Sequence, residues 1–356
     1  MLIYNYIIKK CLFNTLFVLL AFIFIFAIFT LLGDASSIGT GDFNLGAMVY
    51  YLIILTPTFC YMLLPLAILI GVMLGMLSLV NYSEYAIIRT SGVSLKKILL
   101  LLVIFGSCFS IINFILGEFI APNANHYAKI YKMEKSHQKF STNLNSGIWS
   151  KDGNNTFVNI KQILPDLSIN DIYSYYYDNN SNLTKTLYAK SGKFSNQTKL
   201  WSLSDVVIKN YTSFGLNTQK INSYDWRTSI DPSYFSVLVI TPEEMSALEL
   251  IKYISHLATN HQSTQRYNIA FWAKLLYPIT CLSMAILSIA FIPNNRRNIN
   301  LGAKLFFGII IGISFFFITK LVNYLAVLFS WNAILSAVTP NLLLLIATYY
   351  FVKKQN

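Results

Sequence analysis

Few residues in this chain could do chemistry, and the most distinctive group is a short polar island. It reads Asn81-Tyr-Ser-Glu-Tyr-Ala-Ile-Ile-Arg-Thr-Ser-Gly92, followed by Ser94-Leu-Lys-Lys97, between two long apolar runs. Two readings are open. As a topological feature, the island is a positively charged turn that fixes orientation. As a functional one, Glu84 to Ser91 form a short amphipathic helix in the membrane plane, presenting Glu84 and Arg89 to a soluble partner. Gly92 would end that helix.

Other reactive patterns are missing. The sole Gly-Lys, Gly192-Lys193, is followed by Phe194 inside a predicted strand, so no phosphate loop forms. No Ser-His-Asp or Cys-His motif has a recognisable local spacing. Cys11, Cys60, Cys108 and Cys281 lie in or beside apolar runs, and His126, His137, His256 and His261 match no ligand pattern. Neither a metal nor a cofactor is expected. No carboxylate or histidine stands at mid-span, which argues against an ion-driven pump.

Two bases lie inside span edges at the expected outer leaflet, Lys274 and Lys320. They either snorkel to the headgroups or meet an anionic lipid headgroup entering between helices.

The elements that must position these residues are read from charge and hydropathy. The 356-residue chain is 55% hydrophobic and only 12% charged, against about 25% charged in ordinary globular proteins. The shortage is confined to long blocks flanking a polar middle segment, which describes an integral membrane protein with one hydrophilic domain. A net charge of +12 would suggest nucleic acid in a soluble chain. Here the bases gather at span ends, so no nucleic acid partner is expected.

A span needs about 20 residues. Six runs qualify: 11–32, 46–80, 95–116, 269–292, 301–324 and 334–352. The first is too long for a signal h-region and lacks a small-residue cleavage site. Pro57 and Pro65 interrupt the second run, and Gly71 and Gly75 in it permit close helix contact. Lys9, Lys10, Arg89, Lys96, Lys97, Arg296, Arg297, Lys304, Lys353 and Lys354 fall on one side, with Glu84 the only acid. The short loops on the other side carry no Lys or Arg. Both termini are therefore expected in the cytoplasm and the large domain outside.

The expected domains are spans 1–3 over 1–117 with the island helix at 83–92, a polar domain over 118–266, and spans 4–6 over 267–356. Short segments rich in β-branched and aromatic residues, separated by Asn/Asp/Gly turns, predict an all-β sandwich or jellyroll there. A helix over 242–258 returns the chain to the membrane. Thr241 caps it, Pro242 takes its first position and Glu244 completes a capping box.

Six spans, no nucleotide site and a short helix facing a soluble partner describe the membrane half of an ABC transporter. At this point the sequence resembles a known family. Ser83-Glu-Tyr-Ala-Ile-Ile-Arg-Thr-Ser-Gly92, Gly117-Glu-Phe-Ile-Ala-Pro122 and Arg266-Tyr-x4-Trp-x-Lys274-x3-Pro278 resemble the LptF/LptG permeases of lipopolysaccharide export. Gly147-Ile-Trp-Ser-Lys-Asp-Gly-Asn-Asn155 resembles the LptG branch in particular.

The resemblance implies a bacterial inner-membrane permease without enzymatic activity of its own. It implies a heterodimer with an LptF-like subunit, an LptB-like ATPase dimer below, and LptC-like and LptA-like periplasmic acceptors of the lipopolysaccharide. It also implies a jellyroll for the external domain and an ATPase-docking role for Glu84. Ser83, Glu84, Arg89 and Gly92 form the expected coupling set; Lys274, Lys320 and Arg266 are the headgroup candidates. One departure stands out: the outer end of the first span, Leu31–Ser37, lacks the lysines that relatives often carry. The alternatives are an LptF-type subunit, a homodimer, a non-transporting receptor with an external β-domain, or a lipid-modifying enzyme, for which no reactive constellation is visible.

Overall fold

The computed structural model describes residues 2–136, 148–152, 155–163, 168–178, 180, 182–195, 198–212, 215–228, 230, 241–259, 262–291 and 301–355. Of the residues singled out above, His137, Gly147, His261, Arg296 and Arg297 lie outside them. The helices are α1 (Leu2–Gly33), α2 (Leu45–Asn81), α3 (Glu84–Thr90), α4 (Leu95–Ile115), α5 (Ala121–Ser136), α6 (Ala247–Thr259), α7 (Gln265–Leu287), α8 (Leu301–Leu328) and α9 (Ala333–Gln355). Among the described residues, six runs are long and apolar enough to cross a membrane: α1, α2, α4 continued through α5, α7, α8 and α9.

Helix α2 is the axis of the bundle. In its most apolar stretch 89% of residues are buried by the rest of the protein, against 6% in α1. Helix α1 therefore lies on the outside and exposes Phe13, Phe17, Leu20 and Phe24 along one face. Between lipid-embedded helices there is no hydrophobic drive, so close contact depends on small residues. A Cβ on Gly71 would sit 2.3 Å from Thr15 Cα, and one on Gly75 would sit 3.1 Å from Cys11 Cα. The small-residue pair noted in the sequence is the crossing of α1 and α2. Gly106 does the same for α4 and α7, where a Cβ would meet that of Ala285 at 2.9 Å.

Prolines shape two of these helices. Pro65 has no N–H, so the carbonyl of Tyr61 one turn earlier loses its intrahelical donor. The Asn113 amide of α4 supplies one instead at 3.0 Å. In the third span, Gly117–Pro122 reads in sequence as the exit into the polar domain, yet the chain stays helical there. A π-turn at Leu116–Ile120, with Ala121 N–H donating to Leu116 O, widens the helix just ahead of Pro122. The wider turn accommodates the ring, and α5 continues to Ser136.

The polar middle segment holds an antiparallel sheet of β1 (Ile148–Asp152), β2 (Thr156–Ile163), β3 (Ile169–Tyr177), β4 (Leu183–Ser195), β5 (Leu200–Thr212) and β6 (Gly215–Trp226). Each described strand pairs with its sequence neighbours, in order β1 to β6, so the inserted β-domain expected from the sequence is present. One face carries Val158, Ile160, Ile172, Leu187, Leu203 and Val206 into a core, where the Trp201 indole donates to Ile230 O at 2.8 Å.

Inward positions step by three, not two, at 169 to 172, 189 to 192 and 203 to 206. The flanking Asp171 and Asp205 have positive φ (51° and 52°). This line of irregularity crosses three strands and breaks the period-two pattern of β5. Strand β6 is mostly exposed and polar, so its sequence lacks the alternation that marks a strand.

The return helix expected over 242–258 is split. Thr241 N–H donates to Glu244 Oε2 at 3.3 Å, but this box caps only a 3-10 turn, Pro242–Glu244. Met245 is extended and its side chain is buried with Leu250 and Ala270. A second box then starts α6: Ser246 N–H donates to Glu249 Oε2 at 2.8 Å and Glu249 N–H to Ser246 Oγ at 3.2 Å.

Candidate functional site

The polar island folds as α3, a helix of 7 residues between α2 and α4. Ser83 enters it in the left-handed region at φ 66°, a conformation that costs a non-glycine residue about 1 kcal/mol or more and clusters at functional sites. Its far end is a Schellman motif: Val93 N–H reaches Ile88 O and Gly92 N–H reaches Arg89 O. Gly92 supplies the φ of +90° this turn requires, and the buried side chains of Ile88 and Val93 close it. Ile88 is the inward anchor; Ala86, Ile87, Arg89 and Thr90 face outward.

Glu84 does not project freely. Its Oε2 accepts from Lys10 Nζ at 3.0 Å and from Tyr6 Oη at 2.9 Å, both on α1. These bonds, Lys10 foremost, hold its carboxyl below the usual carboxylate range. Neither bond uses Oε1. Lys10 also sits 5.4 Å from the Tyr6 ring centroid and 5.5 Å from that of Tyr82, a cation–π bracket. Arg89 donates back to Val93 O at 3.3 Å. Between α1 and α3 lies an open groove of about 290 Å³ lined by Ile3, Tyr6, Glu84, Ile87 and Ile88. The site thus combines an apolar floor, one fixed carboxylate and an exposed arginine, a surface suited to gripping a protein segment that carries a cation.

The headgroup candidates part company at the other end of the bundle. Lys274 is mostly enclosed: it donates to Met245 O and lies 5.7 Å from the Tyr61 ring centroid. Arg266 is exposed and 3.8 Å from Glu243. Lys320 is exposed on α8. Lys274 is therefore engaged within the chain, whereas of the three candidates Arg266, beside Glu243, and Lys320 are exposed. All four cysteines are unpaired.

Comparison with known proteins bears on this arrangement. The profile of the family described as "Lipopolysaccharide export system permease LptF/LptG" matches residues 5–354. The chain belongs to the LptF/LptG family. Among its relatives, the lipopolysaccharide export system permease protein LptG of Haemophilus influenzae is 25% identical over 319 residues, covering 90% of this chain and 89% of the relative. The protein of the same description from Escherichia coli K12 is 26% identical over 305 residues, covering 85% and 84%.

An LptF/LptG permease is a membrane protein of several spans, which agrees with the six long apolar helices among the described residues. The resemblance read from the motifs is thereby confirmed. Two contributors to the α3 site were not anticipated. Lys10 was read as a topology signal only, and Tyr6 carried no signal at all, because their partner lies 74 and 78 residues away.

Proposed function

We propose that this chain is the permease subunit of an ABC transporter that extracts lipopolysaccharide from the inner membrane and passes it to a periplasmic bridge. It pairs with an LptF-like subunit, sits on an LptB-like ATPase dimer, and delivers to LptC-like and LptA-like proteins. Both termini lie in the cytoplasm and the β-domain in the periplasm. ATP is hydrolysed by the partner.

One observation supports this reading above the others. Helix α3, held at the end of α2 and α4, places a fixed carboxylate beside an apolar groove. Ser83, Glu84, Arg89 and Gly92 form the ATPase-coupling surface: Ser83 and Gly92 set the helix ends, Glu84 and Arg89 make the contacts. At the other end, Arg266 and Lys320 are the bases open to a lipid phosphate, while Lys274 serves the chain itself. The exposed aromatic face of α1 meets lipid or the second permease subunit.

The test is Glu84→Arg in the assembled complex. It leaves insertion intact and abolishes both the permease's stimulation of ATP hydrolysis and lipid release. Survival of both activities removes α3 as the docking element.

A further inference from the structure

Glu118 and Lys274 meet on a single stretch of backbone, and the permease reading above uses neither. Glu118 stands in the π-turn at the outer end of α4. Its Oε2 accepts from Ala247 N–H at 2.8 Å and its Oε1 from Leu248 N–H at 3.2 Å. These are the first two amides of α6, which have no intrahelical acceptor and carry the positive end of the helix dipole. Lys274 of α7 donates to the carbonyl of Met245, two residues earlier. One acid and one base from two different spans thus hold both kinds of backbone group in a four-residue segment.

The surroundings are stiff. Lys129 of α5 pairs with Glu244 at 2.5 Å. Ser110 of α4 donates to Pro278 O at 2.6 Å, and Tyr277 to Met62 O at 2.7 Å. A Cβ on Gly117 would lie 2.3 Å from the Tyr61 ring, so the backbone beside Glu118 passes close against α2. Between Glu118 and Lys274 remains a void of about 10 Å³, enough for one water.

At its other end the same rod begins at the island. Helix α3 leads through Gly92–Ser94 directly into α4. Leu95 to Glu118 runs as continuous helix into the π-turn at Leu116–Ile120, a length of about 36 Å at 1.5 Å per residue, enough to cross a membrane.

We propose that Glu118 and Lys274 are positioning residues that bolt the return helix of the external domain to the third and fourth spans, so that displacement of α3 by its soluble partner reaches that domain. The inference rests on the proposed role of α3. The bolt separates two activities that a docking residue does not. Loss of Glu84 disconnects the ATPase, whereas loss of Glu118 leaves the ATPase connected and disconnects the external domain.

The experiment uses the complete complex in proteoliposomes loaded with lipopolysaccharide, measuring permease-stimulated ATP hydrolysis, lipopolysaccharide release and hydrogen exchange at Ala247 and Leu248. For Glu118→Ala the expectation is about tenfold faster exchange at both amides, about tenfold less release, and hydrolysis within about twofold of the parent. Glu118→Gln keeps one carbonyl acceptor and falls between. If Glu118→Ala does not fold, Lys274→Met, which removes only the donor to Met245, is expected to give the same split. Faster exchange with unchanged release overturns the proposal, as do unchanged exchange or equal loss of release and hydrolysis. Should the unsubstituted complex show neither hydrolysis nor release, the permease reading fails instead.

Discussion

Lys10→Met tests how the α3 carboxylate is held. In the folded chain Lys10 Nζ lies 3.0 Å and Tyr6 Oη 2.9 Å from the same oxygen of Glu84, leaving Oε1 without a described bond. Such an arrangement orients the acid without consuming the oxygen a docking cation would use. The side chains are 19% and 33% exposed, so the pair belongs with partly solvated ion pairs worth about 0.5–1 kcal/mol, not with buried ones. Losing it should raise the concentration of ATPase needed for half-maximal stimulation by about two- to fivefold. Tyr6→Phe should act in the same direction, and the double variant should cost less than the sum, since both donors serve one oxygen. Glu84→Arg is harsher. It removes the acceptor and sets two cations about 4 Å apart, adding about 1 kcal/mol of repulsion even in water. The combined loss of about 1.5–2 kcal/mol corresponds to roughly 10- to 30-fold. The assay is ATPase titration against a fixed amount of permease in nanodiscs. If Lys10→Met docks as tightly as the parent or more tightly, Lys10 is a competitor for Glu84 and the positioning account is wrong.

Other consequences concern packing and protonation. Gly71→Ala places a methyl 2.3 Å from the Thr15 backbone, so α1 must move off α2 at a cost of about 1–3 kcal/mol; thermal unfolding in detergent should shift down, and an unshifted midpoint rejects the crossing. Trp201→Phe leaves the Ile230 carbonyl without its 2.8 Å donor, costing the β-domain about 1–3 kcal/mol, seen as an earlier loss of near-ultraviolet dichroism. Because Glu84 titrates below its ordinary value when folded, its pairing contributes fully above about pH 4.3 and is lost only as pH falls through the lowered folded value. Docking measured between about pH 5.5 and pH 8 should therefore show no inflection that Glu84→Gln removes; one that it does remove contradicts the pairing.

What the sequence disclosed and what it withheld follow from the range of the forces involved. Spans were readable because a membrane demands about 20 uncharged residues in a row, and the end of α3 because Gly92 alone satisfies its turn. Gly71 and Gly75 gave the spacing of a contact but not its partner. The groove was invisible because Glu84 meets Lys10 across 74 residues. Helix α5 was hidden because Pro122 reads as a helix stop unless a π-turn precedes it. Strand β6 was hidden because its polar side chains face outward. Lys274 stayed open between snorkelling and a headgroup contact in the sequence because burial and partners, not residue type, reveal a base engaged by backbone.

The central claim is that this LptF/LptG family member moves lipopolysaccharide with a separate ATPase's energy. Purifying the tagged chain from native membranes and weighing the intact complex by mass spectrometry, with bound lipid identified, tests it most directly. The account predicts one second permease chain, two copies of an ATPase and bound lipopolysaccharide. Recovery of the chain with neither a nucleotide-hydrolysing partner nor lipopolysaccharide would contradict it.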